Sequence, residues 1–269
     1  MNGAIKSAAK VLLMFPLAVG ALSVPAKADS KTSAERKQPV LVELFTSEGC
    51  SSCPPADRLA IRLQSEKNGG RDVIILSEHV DYWNHLGWED RFSSAQFTDR
   101  QRTYAQVLGQ NSVYTPEAVV DGTYGVVGSE PRSLGQAIDK CTNVPKVHVN
   151  LSSQIDKTDS LKRQVTISAD CPSDLSGKRA QLYLVISEDN LKSNVHSGEN
   201  GGATLEHTGV VRRLEKVSTV ITLEPNKNRS YTADVKLDPQ WKRDDLRIGA
   251  FLQDPTTQTI WGVNQIRLQ

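Results

Sequence analysis

Cys50 and Cys53, separated by two serines, stand between an apolar run and an amphipathic segment. Ahead of them, Val40 to Thr46 is rich in β-formers and reads as a buried strand. Behind them, Pro54-Pro55 fits only the first turn of a helix, and Ala56, Leu59, Ala60 and Leu63 then recur at helical spacing. A cysteine pair at a strand-to-helix junction can interconvert between a disulfide and two thiols. The free N–H groups and positive end of the helix favour the first sulfur as thiolate, and the second lies on the same side of the first turn. Two other chemistries fit the same residues. One is a short structural disulfide; the other is a two-sulfur, two-nitrogen set with His79 and His85, compatible with zinc or copper.

Two acids lie near enough in sequence to tune such a pair. Glu43, on the preceding strand, can accept a proton while Cys53 resolves a mixed disulfide. Glu48 would disfavour the thiolate if it pointed at the sulfur. For both, an outward solvated carboxylate is the plainer reading. Cys141 and Cys171 are 30 residues apart in the same oxidising context, and three arrangements stay open: a disulfide joining two domains, two separate buried thiols, or a second redox pair.

The elements that must position these residues follow in order. Asp72 to Ser77 is a second apolar run after a helix stop at Asn68-Gly69-Gly70, so strand, helix and strand predict a right-handed parallel βαβ unit. His79 to Trp88 concentrates two Trp, a Tyr and two His where α/β folds build sites. Trp83 and Trp88 read first as packing and second as an aromatic groove. Phe92 to Leu108 predicts a helical insertion. Thr115-Pro116 precedes Val119-Val120, and Asp121-Gly122 predicts a hairpin to Val126-Val127. Ser129 is the expected cap of a helix with Pro131 in its first turn, running to about Cys141. From Val144 the pattern becomes alternating, with eight short strands starting near Val147, Val165, Leu182, Val210, Val220, Tyr231, Leu246 and Thr259. That is the pattern of an antiparallel sandwich. Within it, Ser197 to Gly202 lacks the strand-loop-helix setting of a phosphate site and reads as a solvated loop; His207 and Arg212-Arg213 are candidates to face the first domain, with no pattern that places them.

The order strand, CxxC helix, strand, insertion, Thr-Pro strand, hairpin and helix resembles the thioredoxin superfamily. Val42 to Cys53 is similar to a glutaredoxin or thioredoxin active-site strand and loop, and Val113-Tyr114-Thr115-Pro116 to the superfamily's cis-proline loop. Phe45-Thr46-Ser47, Gly49 to Asp57, His79 to Trp83, Thr115 to Gly122 and Ser197 to Asn200 more closely resemble an exported bacterial thioredoxin-like family whose reaction is unsettled. The resemblance implies Cys50 as exposed nucleophile, Cys53 as resolving thiol, and a cis Thr115-Pro116 bond whose Thr115 backbone is free to dock an extended peptide.

At the scale of the chain, Lys6 and Lys10, an apolar run from Val11 to Val24 too short to span a bilayer, and Ala26-Lys27-Ala28 read as a cleaved export signal over residues 1–28, with an uncleaved membrane anchor the rival reading. Removal of the signal deletes three lysines and no acid, taking the formal charge from +1 to −2. Neither nucleic acid nor membrane is thus expected as a partner. A polar leader occupies residues 29–38. The expected architecture is an α/β thioredoxin-like domain over residues 39–143, with a central mixed sheet, flanking helices and the insertion, followed by an all-β antiparallel sandwich over residues 144–269. The expected function is periplasmic or secreted thiol–disulfide exchange with protein thiols or a redox partner, without cofactor or resident metal. The alternative is a thioredoxin-like binding module for a protein or for copper or zinc.

Overall fold

The structure, a computed structural model, describes residues 39–65, 72–225 and 227–268. The expected signal, the leader and the helix stop at residues 68–70 lie outside them. The described residues fall within one compact unit. A mixed sheet flanked by helices forms its centre, and additional antiparallel sheets pack against it.

Strand β1 (Val40–Thr46) pairs in parallel with β2 (Val73–His79), and helix α1 (Pro54–Ser65) connects them. Strands β3 (Glu117–Val120) and β4 (Tyr124–Val127) complete that side as an antiparallel hairpin. Asp121 and Gly122 form its turn, both at positive φ, and the backbone of Gln258 leaves no space for a Cβ at Gly122. Strand β1 is buried on both faces. Val40, Val42 and Leu44 pack under α1 and α3 (Pro131–Thr142), while Leu41 meets Ile74, Leu76 and Phe97 on the other face. Helix α2 (Ala95–Val107), capped by the Ser94 side chain, supplies Phe97 and Tyr104 to that second face.

Later in the chain come β5 (His148–Ile155), β6 (Lys162–Asp170), β7 (Arg179–Glu188), β8 (Leu191–Asn194), β9 (Thr204–His207), β10 (Val210–Lys216), β11 (Ile221–Thr222), β12 (Arg229–Lys236), β13 (Leu246–Gln253) and β14 (Ile260–Arg267). The large sheet runs β14-β13-β7-β10-β2-β1-β3-β4, with β11 beside β7. Strands from both sides of residue 143 therefore share one sheet. The junction is narrow: Val210 pairs with Ser77, and the Ser77 N–H donates to the Gly209 carbonyl at 2.8 Å. Strands β12, β6 and β5 form a separate antiparallel sheet, and Val165 and Ile167 pack with Leu182, Leu184 and Ile248 in one apolar cluster. Strands β8 and β9 form a hairpin of their own.

One expectation is corrected, one is extended and one open choice is settled. The cap residue of α3 is Glu130 rather than Ser129, because Pro131 occupies the first helical position, and Glu130 makes no side-chain capping bond. Ser197 to Gly202 is the turn expected there, but it joins strands β8 and β9, which were not expected, and these bury Ser193 and His207 as well as Leu191 and Leu205. Of the three arrangements left open for Cys141 and Cys171, the structure shows separate buried thiols, in different apolar clusters. Burial and the nearby Asp121 carboxylate push the Cys141 thiol up to about 12, an unreactive setting.

Candidate functional site

Cys50 and Cys53 form a disulfide at the start of α1. The local sequence explains the geometry. The Cys53 carbonyl accepts from the N–H of Ala56 at 2.8 Å and of Asp57 at 3.2 Å, so Cys53 is the residue from which the helix departs. The Thr115–Pro116 peptide bond is cis, and it brings the Thr115 carbonyl to 3.8 Å from Cys50 Sγ and 3.3 Å from Ser52 Oγ. Trp83 Nε1 donates to Thr115 Oγ1 at 2.9 Å and fixes the loop from the other side. All four expected site residues, Cys50, Cys53, Thr115 and Pro116, thus converge.

The expected exposure does not hold. Cys50 and Cys53 are both 0% exposed, while Ser51 and Ser52 face solvent. The cover is the turn between β8 and β9. Asn200 Nδ2 donates to the carbonyls of Glu48 at 2.8 Å and Cys50 at 3.0 Å, and Glu199 accepts the Ser51 N–H at 3.0 Å. The same turn rests on the Trp-rich loop: Ser197 Oγ donates to the Gly87 carbonyl, and a Cβ on Gly87 would meet Gly198 Cα at 3.2 Å. Part of the Thr115 backbone expected to be free is already in use, because its carbonyl faces the CxxC loop.

A buried titratable cluster, with one member in the CxxC loop and one in the first turn of α1, is assembled from five places in the chain. Glu48 comes from the CxxC loop, Asp57 from the first turn of α1, His79 from the end of β2, Asp90 from the loop before α2 and His207 from the end of β9. Asp57 Oδ1 accepts from Thr46 Oγ1 at 3.0 Å. His79 Nδ1 meets Asp90 Oδ2 at 2.6 Å. His207 Nε2 is 3.4 Å from Glu48 Oε1, and its Nδ1 is 3.7 Å from Asp57 Oδ2. The two imidazoles meet edge to face at 4.9 Å, with Phe92 against both.

The environment separates these acids. Burial raises Asp57 above the ordinary aspartate range. Burial also acts against ionised Glu48, but His207, Ser193 and Trp88 together hold it below its ordinary value, against the repulsion of Asp90. Burial likewise opposes charge on His79 and Asp90. Asp90 nonetheless lifts His79, and His79 with the N–H groups of Glu48 and Phe92 holds Asp90 at about 2.

Glu43, read as a solvated carboxylate or else a proton acceptor, is fully buried and serves elsewhere. It is ion-paired to Arg100 at 2.6 Å and bonded to the Tyr104 hydroxyl, in a network that includes Glu78 and Gln253. Glu48 points inward to Trp88 Nε1 at 2.8 Å rather than out to solvent. His79 is turned to Asp90 and His85 is exposed, so the two do not join the cysteines, and no group of three or more His, Cys, Asp or Glu among the described residues is placed to hold a metal ion. Arg212 and Arg213 pair near Glu188 and Glu215 instead. The sequence reading missed Asp57, Asp90 and the site role of His207. Asp57 had one signal, a charged residue beside the apolar positions of an amphipathic helix; His207 had none in its own neighbourhood.

Comparison with known proteins agrees with this architecture. The profile of a family described as a protein of unknown function, DUF1223, matches residues 41–253. A crystallised protein of Agrobacterium tumefaciens is 27% identical, with a TM-score of 0.64 over 87% of this chain and 96% of its own. HBP35 of Porphyromonas gingivalis is 20% identical, with a TM-score of 0.66 over 86% of this chain and 76% of its own, a likeness of fold alone. No curated protein matches. The chain, matched over most of its length and carrying its disulfide inside the matched segment, belongs to the DUF1223 family.

Proposed function

We propose that this protein is an exported thiol–disulfide oxidoreductase, periplasmic or secreted, that acts on protein thiols through Cys50 and Cys53. One observation carries the reading: a cysteine pair stands at a helix N-terminus, with Cys50 Sγ against the Thr115 carbonyl and the buried acid Asp57 in the first turn of the same helix. In this reading residues 39–143 are a thioredoxin-like unit, and the later strands cover the pair and select the partner. A substrate thiolate attacks Cys50, and Cys53 leaves. The substrate's second thiol then displaces Cys50, so a substrate dithiol becomes a disulfide as the protein's disulfide becomes a dithiol. The reverse sequence reduces a substrate disulfide.

The burial of both sulfurs supports a second reading, a non-enzymatic thioredoxin-like binding module with a structural bridge. The reduction potential separates them. Measured in glutathione buffers on protein with Cys141→Ser and Cys171→Ser, a value near or above about −200 mV marks an oxidant or isomerase, and about −270 mV a reductant. A bridge still closed below about −300 mV overturns the enzyme reading.

A further inference from the structure

His207 is fully enclosed, yet neither ring nitrogen has a closed hydrogen bond, and the same holds for Glu48 Oε1 opposite it. A buried polar atom left in that state costs roughly 1–3 kcal/mol. Such orphans persist in native proteins where chemistry uses them. Here the orphaned atoms form a line. Glu48 Oε1 faces His207 Nε2 at 3.4 Å, and His207 Nδ1 faces Asp57 Oδ2 at 3.7 Å. Asp57 lies one helical turn beyond Cys53, whose carbonyl accepts its N–H. Side chains four apart in a helix share a face.

Cys53 makes this line matter. When the disulfide opens, an electron pair passes to a sulfur enclosed by protein. A thiolate in that position is strongly disfavoured unless a proton reaches it as the bond breaks. We propose that Glu48, His207 and Asp57 form a buried proton path to Cys53, in which Asp57 gives the proton and His207, held by Glu48, replaces it. The proposal rests on the exchange reading above. The bond formed joins the substrate sulfur to Cys50, and the bond broken is Cys50–Cys53. The electron pair and one proton go to Cys53, and Cys50 takes the second proton from solvent when the substrate disulfide departs. Both protons are balanced by those the substrate dithiol gives up.

The groups facing His207 fit these roles. Ionised Glu48 keeps a hydrogen on Nε2, and a second proton, one given up by the substrate dithiol, occupies Nδ1 when His207 restores Asp57. Burial keeps Asp57 in its protonated form to higher pH than an exposed aspartate. The His79 ring closes the remaining side, its own Nδ1 committed to Asp90. Asp57 is the proposed catalytic acid, and His207 acts through it as a positioning residue. His207 comes from the β8–β9 hairpin, whose turn also covers the cysteines, so one element both shields the disulfide and supplies its proton.

The test follows dithiothreitol reduction of Cys50–Cys53 by tryptophan fluorescence, from pH 5 to 9 in chelator, on protein with Cys141→Ser and Cys171→Ser. Rates are expressed per dithiothreitol thiolate. The expected wild-type rate falls as pH rises, because the proton donor empties. His207→Gln is expected to be about 100-fold slower near neutral pH, with a flat profile. Asp57→Asn is expected to behave alike, and the double variant to be no slower than the slower single one, as for residues acting as a unit. If His207→Gln does not fold, Glu48→Gln with the same flattened profile serves. A wild-type pH profile in a folded variant, or effects that multiply, overturns the path and leaves the exchange reading standing. A wild-type disulfide that dithiothreitol does not open overturns both.

Discussion

Asp90 is an anchor for three parts of the site at once. Its carboxylate holds His79 and accepts the N–H groups of Glu48 at 2.9 Å and Phe92 at 2.9 Å. Replacing it by asparagine leaves a buried imidazole without its counter-charge and should cost roughly 3–5 kcal/mol of unfolding free energy, read by urea titration. The pH dependence has a defined sign. His79 is raised in the folded state, so its contribution is complete below about pH 6.5 and is lost as pH rises through the raised value. Asp90 is lowered, so its contribution is present above about pH 4 and is lost as pH falls toward 2. Asp57, raised by burial, slopes the opposite way on the acid side, and buried Glu78, raised well above its ordinary value, adds to the alkaline limb, so the readout is the alkaline slope of the variant against that of wild type. Asp90→Asn should flatten that limb; an unchanged alkaline slope would show that the pair is not its source. At this scale the cysteines and Thr115-Pro116 were legible because their chemistry is local to each motif. Glu43 was misread because strand position does not tell which of two buried faces a carboxylate serves. His207 was illegible because its partners come from segments remote in sequence; Ser51 and Glu199, in the same site, are 148 positions apart.

Between residue and molecule, the β8–β9 hairpin is the element that most changes the site. Asn200 ties its turn to two carbonyls of the CxxC loop, and each such bond contributes about 1 kcal/mol. Asn200→Ala should therefore favour the uncovered turn by about 1–2 kcal/mol, a roughly 5–30-fold larger population. The expected outcome is dithiothreitol reduction of Cys50–Cys53 faster by that factor; an unchanged rate would mean that the turn does not limit access. The hairpin escaped the sequence pattern for a physical reason. Its buried positions, Leu191, Ser193, Leu205 and His207, do alternate, but half of them are polar. Periodicity recognises burial only where burial is apolar. The βαβ unit, the Asp121-Gly122 turn and α2 obey that rule and were legible.

Across the whole molecule, the eight strands expected after residue 144 are present, and what could not be read was which sheets they join. Alternation fixes a strand's faces but not its neighbour. Strand β10 lies between β7 and β2, so the later strands continue the sheet that holds the CxxC strand. Leu41, Ile74 and Leu76 pack with Val185, Val211, Phe251 and Val263, so residues 39–143 alone would expose an apolar face and a strand edge. A fragment of those residues should show no cooperative thermal transition, while residues 39–269 melt in one. A sharp, reversible transition in the fragment would show that it folds independently.

The narrow junction at Ser77 and Val210 also orders events in time. A chain made and delivered from its N-terminus presents β2 well before β10 exists. At ordinary synthesis rates that interval is on the order of ten seconds. During it, the edge of β2 is an open template for any passing strand. The nascent chain therefore carries this open edge until residue 210 arrives, and the CxxC loop is made 150 residues ahead of Asn200, which ties the covering turn to it.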